Sequence, residues 1–276
     1  MGQKSNPNSF QLSLKKNNNS GSFQNKIEYA SLIKDKIFIS SNLVFFFEKK
    51  NCLVKDCTFF INNQKSLVTI FISFLVVKRL KKSRKTLNNL KPKLNVSVLV
   101  KKIFKVLSLF GYFSSKRLVL QNLNKLAKNY QKSFFKKEHL KFERSLLLFK
   151  KEVFFQTGVF LFCLLKNTNN NAFLFSKYIG YFFRILHRTK KIDKFLAFLA
   201  KFVQNIDTAE NSSFRKITGF KIQIKGRLIK RQSRSQVRVY EKGTIPLQSI
   251  SAKINYSLTH VNTTYGVFGI KVWIFE

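Results

Sequence analysis

Six cations crowd into the eight residues 78–85, where Lys78, Arg79, Lys81, Lys82, Arg84 and Lys85 are interrupted only by Leu80 and Ser83. A second group, Arg184, Arg188, Lys190, Lys191 and Lys194, recurs at spacings that put several cations on one side of a helix. A third follows Arg227, as Lys230, Arg231, Arg234 and Arg238. The chemistry open to such groups is neutralisation of phosphate, with release of the counterions that phosphate had condensed. The whole chain repeats the theme, with 52 Lys plus Arg against 12 Asp plus Glu, a formal charge of +40 over 276 residues. Self-repulsion on that scale calls for a polyanionic partner, and nucleic acid fits better than an anionic membrane surface. Polybasic membrane binding depends on clusters beside an anchor, and no anchor is visible. The longest charge-free apolar runs, "VFFQTGVFLFCLL" at 153–165 and "SLVTIFISFLVV" at 66–77, fall short of the roughly 18–20 residues a spanning helix needs. They read as buried strands or core helices, so no membrane insertion is expected.

Bond-making chemistry has little to work with. Metal-dependent strand cleavage wants paired carboxylates, whereas Asp35, Asp56, Asp193, Asp207 and the glutamates are spread singly, with no DxD or ExxE. A nuclease or maturase is therefore disfavoured and no enzyme is expected. Cys52, Cys57 and Cys163 include no CxxC pair, and His139, His187 and His260 are scattered, so reduced thiols are expected and no metal or other cofactor. The opening "MGQKSNPNSF" has neither an apolar core nor an Arg-rich amphipathic stretch, so neither a signal nor a transit peptide is read there. Asn6 stands where a myristoylation motif needs Ser or Thr. Phe, Lys, Asn and Ile predominate, with 32 Phe but only 10 Gly and 3 Pro, a usage in keeping with an A/T-rich genome such as an organelle's.

The elements that would carry these cations can be placed from periodicity. Residues 1–26 read as an extended arm, followed by a short helix at 27–34. Two β-branched and aromatic runs, 57–63 and 67–77, predict a hairpin around "NNQK", and 78–90 follows as a basic helix or loop. From 96 to 172 the pattern turns helical, with Leu120, Leu123, Ala127, Tyr130 and Phe134 at the spacing of a buried stripe. "KNTNNNA" at 166–172 reads as a polar linker and domain boundary. Residues 173–205 are amphipathic: Tyr178, Phe182, Ile185, Ile192, Leu196, Leu199 and Val203 share one arc, while Lys177, Arg184, Arg188, Lys190, Lys191, Lys194 and Lys201 lie elsewhere. A break is expected near Arg188–Thr189. After Gly219 the period becomes two, giving strands from "FKIQIKGRL", "QVRVYE" at 236–241, "SISAKINYS" at 249–257 and "GIKVWIF". Helices first, then four strands, predict an α+β fold with a four-stranded sheet packed on helices.

Two segments carry a resemblance. "MGQKSNPNSFQL" at 1–12 and "GFKIQIKGRL…VYEKGTIPLQSISAKINYSLTHVNTTYGVFGIKVWIF" at 219–275 resemble the family of small-subunit ribosomal protein number three. The spacing of Gly226-Arg227-Leu228, Gly243, Pro246-Leu247, Thr263-Thr264-Tyr265-Gly266 and Lys271-Val272-Trp273 is specific to it. The likeness covers 1–12 and about 174–276, extends to the hairpin near 57–77, and is absent over 96–172. It implies a non-catalytic component of the head of the small ribosomal subunit, beside the path by which mRNA enters. Its partners would be small-subunit rRNA, mRNA and neighbouring head proteins. It also implies a KH-type (type II) N-terminal domain at 27–95, a lineage-specific helical insertion at 96–172 and a C-terminal α/β domain at 173–276.

The family pattern assigns roles to residues. Arg184, Lys190 and Lys194, with Arg188 and Lys191 nearby, match positions that line the mRNA path. The arm, with Gly2, Gln3, Lys4, Lys15 and Lys16, would order on rRNA. Arg227, Lys230, Arg231, Arg234 and Arg238 would also meet rRNA, although Ile229 and Lys230 replace the family's glycine pair. A KH domain grips backbone through a GxxG loop, yet no glycine occurs between Gly21 and Gly111. Lys78, Arg79, Lys81, Lys82, Arg84 and Lys85 stand there instead, so a degenerate KH domain holding rRNA by charge alone is expected. Gly266 and Gly269 are read as the glycines that let the chain reverse between its last two strands, with Trp273 in the core. The missing presequence and the codon bias point to synthesis inside an organelle. The insertion and the eroded loop favour the mitochondrial matrix, with the plastid as the alternative.

Overall fold

The computed structural model of the chain describes residues 6–11, 26–62, 67–77, 101, 115–133, 136–167, 171–186, 191–206, 217–228 and 234–276. The chain divides into two compact units, one of Asn17–Leu123 and one of Met1–Lys16 with Asn124–Glu276. A single helical turn, α1 (Pro7–Phe10), opens the described residues and belongs to the second unit.

The first unit contains α2 (Lys26–Lys49), β1 (Cys52–Asn62), β2 (Leu67–Val76) and β3 (Ser115–Asn122). The helix expected at 27–34 runs on to Lys49, because Ile39, Leu43 and Phe47 recur every fourth residue and bury as one stripe. It ends at Asn51, whose φ of 56° is the left-handed conformation that asparagine tolerates better than most residues. The hairpin is as expected, though β1 starts at Cys52, with a bulge between Val54 and Asp56. Ile70, Ile72 and Phe74 alternate onto the face covered by α2, where Phe47 and Phe74 lie 5.1 Å apart. Cys52 joins this core, and burial pushes its thiol up to about 12.

One expectation fails here. The helical stripe read through Leu120 and Leu123 is split: residues 115–122 form β3, parallel to β2, and the helix begins only at Leu123. Leu118 and Leu120 pack against the hairpin core, so a pairing with distant residues overrides the local period.

The second unit holds α3 (Leu123–Ser133), α4 (Lys136–Ser145), a 3-10 turn (Leu147–Phe149), α5 (Val153–Asn167), α6 (Asn171–Leu186) and α7 (Ile192–Gln204). Its strands are β4 (Gly219–Gly226), β5 (Gln236–Gly243), β6 (Ile254–Thr263) and β7 (Gly266–Phe275), in an antiparallel sheet of order β5-β4-β7-β6. This is the expected α+β arrangement with a four-stranded sheet. Only 254–257 of the 249–257 segment is strand.

α6 is enclosed on two sides. Eleven of its sixteen residues are buried. Against the sheet, a Cβ on Gly180 would fall 2.6 Å from Val261 Cγ2, and Ser176 Oγ meets Ser257 Oγ at 2.8 Å. Phe175 reaches Phe220 and Phe183 reaches Phe268, at ring distances of 5.4 and 5.2 Å. On the other side Tyr178 donates its hydroxyl hydrogen to the Phe154 carbonyl at 2.9 Å. Burial raises the Tyr178 pKa well above the usual phenol value, which keeps that donor protonated. Phe154 of α5 also contacts the rings of Phe182, Phe195 and Phe198.

The two compact units part at 123/124 and not at 172/173. α4 and α5, inside the block read as a separate insertion, supply an outer helical layer of the second unit. Phe142 of α4 stacks on Phe162 of α5 at 3.8 Å and meets Phe202 of α7 edge-on at 5.3 Å. Within the polar segment 166–172, α5 runs to Asn167 and α6 starts at Asn171, which is buried and donates from Nδ2 to the Leu164 carbonyl at 2.9 Å. Asparagine is used here to satisfy a helix end rather than to loosen the chain.

The arm at 1–26 also departs from the extended reading, at residues 6–11. The Asn6 side chain accepts from the Asn8 backbone N–H at 3.0 Å and Pro7 sits at the first helical position, together nucleating α1. Asn8 donates to the Tyr256 carbonyl at 3.1 Å, and buried Gln11 donates to the Ala252 carbonyl at 2.5 Å.

Candidate nucleic-acid interface

The second unit displays cations on two surfaces. The first lies where α6 ends and α7 begins. Arg184 occupies the last turn of α6 and is exposed. Lys191 is the residue preceding α7 and Lys194 lies in its first turn, both exposed. Beneath them is Glu152, just before α5. Its Oε2 lies 3.2 Å from Lys191 Nζ and its Oε1 lies 3.9 Å from Lys194 Nζ. The carboxylate side chain is only 15% exposed, against 49% and 65% for the two lysines. One largely covered anion thus sits under two outward cations.

The second surface is the side of the sheet turned away from α6 and α7. Pairing across the four strands sets three rows: Val237, Lys225, Gly269 and His260; Val239, Gln223, Lys271 and Leu258; Glu241, Lys221, Trp273 and Tyr256. Lys225, Lys271 and His260 are exposed. Lys221 is paired with Glu241 at 2.5 Å. Trp273 is buried, as expected, and its ring lies 5.4 Å from that of Tyr256.

The expected rRNA residues that are described lie around β5. Arg227 is half-buried just past β4, while Arg234 and Arg238 are exposed before and on β5. This is an edge strand, and charge on an edge blocks unwanted strand pairing as well as offering phosphate contacts. Burial raises the Tyr240 pKa and the Arg238 charge beside it lowers it, with burial dominant. Lys242 turns inward and donates to the Gln204 carbonyl at 2.6 Å, capping the end of α7.

The two turn glycines separate. Gly266 has a φ of 125° and follows the two-residue turn Thr264–Tyr265, with Thr263 Oγ1 donating to the Gly266 carbonyl at 2.7 Å. Gly269 is not a turn residue. It pairs with His260 and Lys225 inside β7, and among the described residues only Gly243 and Gly266 are glycines of positive φ. The hairpin reverses on one glycine, and the other leaves a gap in the open face.

Gly2, Gln3, Lys4, Lys15, Lys16, Lys78, Arg79, Lys81, Lys82, Arg84, Lys85, Arg188, Lys190, Lys230 and Arg231 lie outside the described residues. The structure thus joins Lys191 to Lys194 through Glu152 and leaves Arg234 and Arg238 together on one edge. Sequence reasoning missed Glu152, for which the chain carries no signal, since its partners lie about forty residues onward. It also passed over Lys225 and Lys271, which the two-residue period of "FKIQIK" and "GIKVWIF" could have assigned to a common face. Among the described residues no cluster of three His, Cys, Asp or Glu is arranged to hold a metal, and no helix is long and apolar enough to cross a membrane.

Comparison with known proteins picks out the part of the chain that carries α7 and the sheet. Residues 190–274 match the family described as "Ribosomal protein S3, C-terminal domain". The small ribosomal subunit protein uS3c of Marchantia polymorpha is 41% identical over 86 residues, 31% of this chain and 38% of that protein. The uS3c of Zea mays is 48% identical over 59 residues, 21% of this chain and 26% of that protein. The uS3 of Prochlorococcus marinus (strain AS9601) is 32% identical over 106 residues, 38% of each chain. The chain thus spans between a quarter and two fifths of the length of these curated relatives.

Proposed function

We propose that this chain, which belongs to the ribosomal protein S3 family through the C-terminal domain at residues 190–274, is a structural, non-enzymatic component of the small subunit of an organellar ribosome. The observation that carries the reading is the coincidence of that family match with a folded scaffold whose outward residues are cations. The relatives are named as small ribosomal subunit proteins of plants and a bacterium, which supports the organellar ribosome and leaves both organelles in play. The mitochondrial matrix is our choice, on the block at 96–172 that lacks the family resemblance and on the missing loop glycines.

Within the particle, Arg184, Arg188, Lys190, Lys191 and Lys194 would face mRNA where it enters the subunit head. Long cations on one helical surface can track the phosphates of a single strand without reading bases. Arg227, Lys230, Arg231, Arg234 and Arg238 would hold small-subunit rRNA from the β5 edge. The arm residues Gly2, Gln3, Lys4, Lys15 and Lys16 would do the same from the N-terminal side. In the first unit, Lys78, Arg79, Lys81, Lys82, Arg84 and Lys85 would replace a KH clamp by charge.

The test is sedimentation of organellar ribosomes carrying a tagged copy. The tag is expected in the small subunit of the mitochondrial particle, and crosslinkers placed at positions 191 and 194 are expected to capture message. A tag in the plastid particle would correct the compartment alone. A tag confined to a free pool, or released by detergent and not by salt, would overturn the ribosomal reading.

A further inference from the structure

Glu152 belongs to the helical layer at 124–167, outside the residues 190–274 that match the family, yet it reaches the two lysines proposed to face the message. We propose that Glu152 is a built-in counter-ion that weakens the grip of Lys191 and Lys194 on single-stranded RNA. This rests on the reading of those lysines as message-facing.

Each carboxylate oxygen addresses a different ammonium, at 3.2 and 3.9 Å, and the carboxylate is much less exposed than either lysine. Glu152 is held from below: its backbone N–H donates to the Phe149 carbonyl at 2.9 Å, while Phe149 and Phe154 on either side lie in the core. Its position just before α5 also places the anion at the positive end of a fifteen-residue helix. The carboxylate is therefore a fixed feature of the fold, whereas the lysines are long and exposed, and their ammoniums lie within reach of both the carboxylate and an approaching phosphate. An RNA phosphate approaching Lys191 and Lys194 meets two ammoniums that share about one compensating charge, so the pair releases fewer counterions than two isolated lysines would. Arg184 has no ion pair among the described residues and keeps its full charge for a strand. The site combines one unopposed cation with a discounted pair, a grip suited to a strand that must slide rather than be held.

The experiment measures the affinity of the full chain for fluorescent single-stranded oligouridine RNA as a function of salt. Glu152→Gln keeps the shape and removes the charge. It is expected to steepen the log–log salt slope by about 0.7 and to tighten binding about fivefold near ~0.1 M salt, the effect of roughly one further phosphate neutralised on a single strand. In a Lys191→Gln/Lys194→Gln background the same change should do nothing. A readout that leaves Glu152 in place is the contrast between Arg184→Gln and Lys191→Gln. The arginine change should remove about 0.7 of slope and the lysine change distinctly less.

Wild-type chain with no salt-dependent RNA binding would sink the message-facing reading itself. Salt-dependent binding that Glu152→Gln leaves unchanged or weakens would sink the counter-ion and spare that reading. So would a gain that persists without the two lysines, or equal losses from Arg184→Gln and Lys191→Gln.

Discussion

The two sheets of this molecule are closed by opposite means. In the first unit an antiparallel hairpin acquires a third, parallel strand only at Ser115–Asn122, long after β2 has ended at Val76. In the second, β6 and β7 are joined by a two-residue turn and β4 sits between β5 and β7 in unbroken antiparallel register. The cores differ in kind as well. Aliphatic residues of one helix and one sheet face fill the first, with Phe47 against Phe74. The second stacks an outer helical layer, α6 with α7, and a sheet around a continuous set of phenylalanine rings running from Phe142 to Phe220. An element whose partner is adjacent in sequence can be specified by a turn. One whose partner is distant is specified only by the shape of the surface it lands on.

The sharpest way to break this contrast is to truncate one ring in each core. Phe154→Ala removes a ring that meets Phe149, Phe182, Phe195 and Phe198, and should cost about 5 kcal/mol, the top of the range for buried aromatics. Phe47→Ala should cost nearer 3 kcal/mol. Denaturant unfolding measures both, and a negligible loss at Phe154 would detach the outer helical layer from the second unit. Next in size is Gly180→Ala, which drives a methyl group toward Val261 and should cost about 1–3 kcal/mol by overpacking. Adding Val261→Ala should recover part of that loss, and failure to do so would contradict the close approach of α6 to β6.

A smaller effect separates the two glycines of the last hairpin. Gly266→Ala must hold a side chain at a φ of 125° and should cost about 1–3 kcal/mol. Gly269→Ala would meet only the Lys225 carbonyl at 4.0 Å, so it should change stability by no more than about 0.5 kcal/mol. Equal costs would restore Gly269 as a turn residue.

The remaining effect appears only in alkali and belongs to the first unit. Burial raises the Cys52 pKa from 9.0 to about 12, so the folded state holds a proton that the unfolded chain releases. The stability tied to that proton is fully present below pH 9 and is lost as pH rises toward about 12. Cys52→Ala should flatten this alkaline decline in thermal melts, and an unchanged decline would place its origin elsewhere.

The same contrast explains how much could be read beforehand. Phe220, Ile222 and Ile224 alternate with Lys221, Gln223 and Lys225, so β4 and its two faces were legible from six letters, and the Thr-Thr-Tyr-Gly turn announced the last hairpin. β3 was not legible, because Leu118 and Leu120 satisfy a helical stripe as well as a strand and only the waiting edge of β2 decides. α6 was half legible. Tyr178 and Phe182 marked a buried face, but Leu174, Ile179 and Phe183 also enter the core, because the helix is enclosed on two sides, with Phe182 against Phe154 of α5 and Phe183 against Phe268 of the sheet. The exposed positions of Arg184, Lys191 and Lys194 followed from helical spacing, whereas the carboxylate beneath two of them depended on a packing of layers that no local pattern encodes.

Gln11 bonds to the Ala252 carbonyl across a separation of 241 positions. A ribosome making this chain delivers Gln11 well before its acceptor. That glutamine must wait, unsatisfied or solvated, until the intervening residues have been made. The second unit is therefore latched only once Ala252 has emerged, and a fragment released from a ribosome stalled between the two would lack the latch.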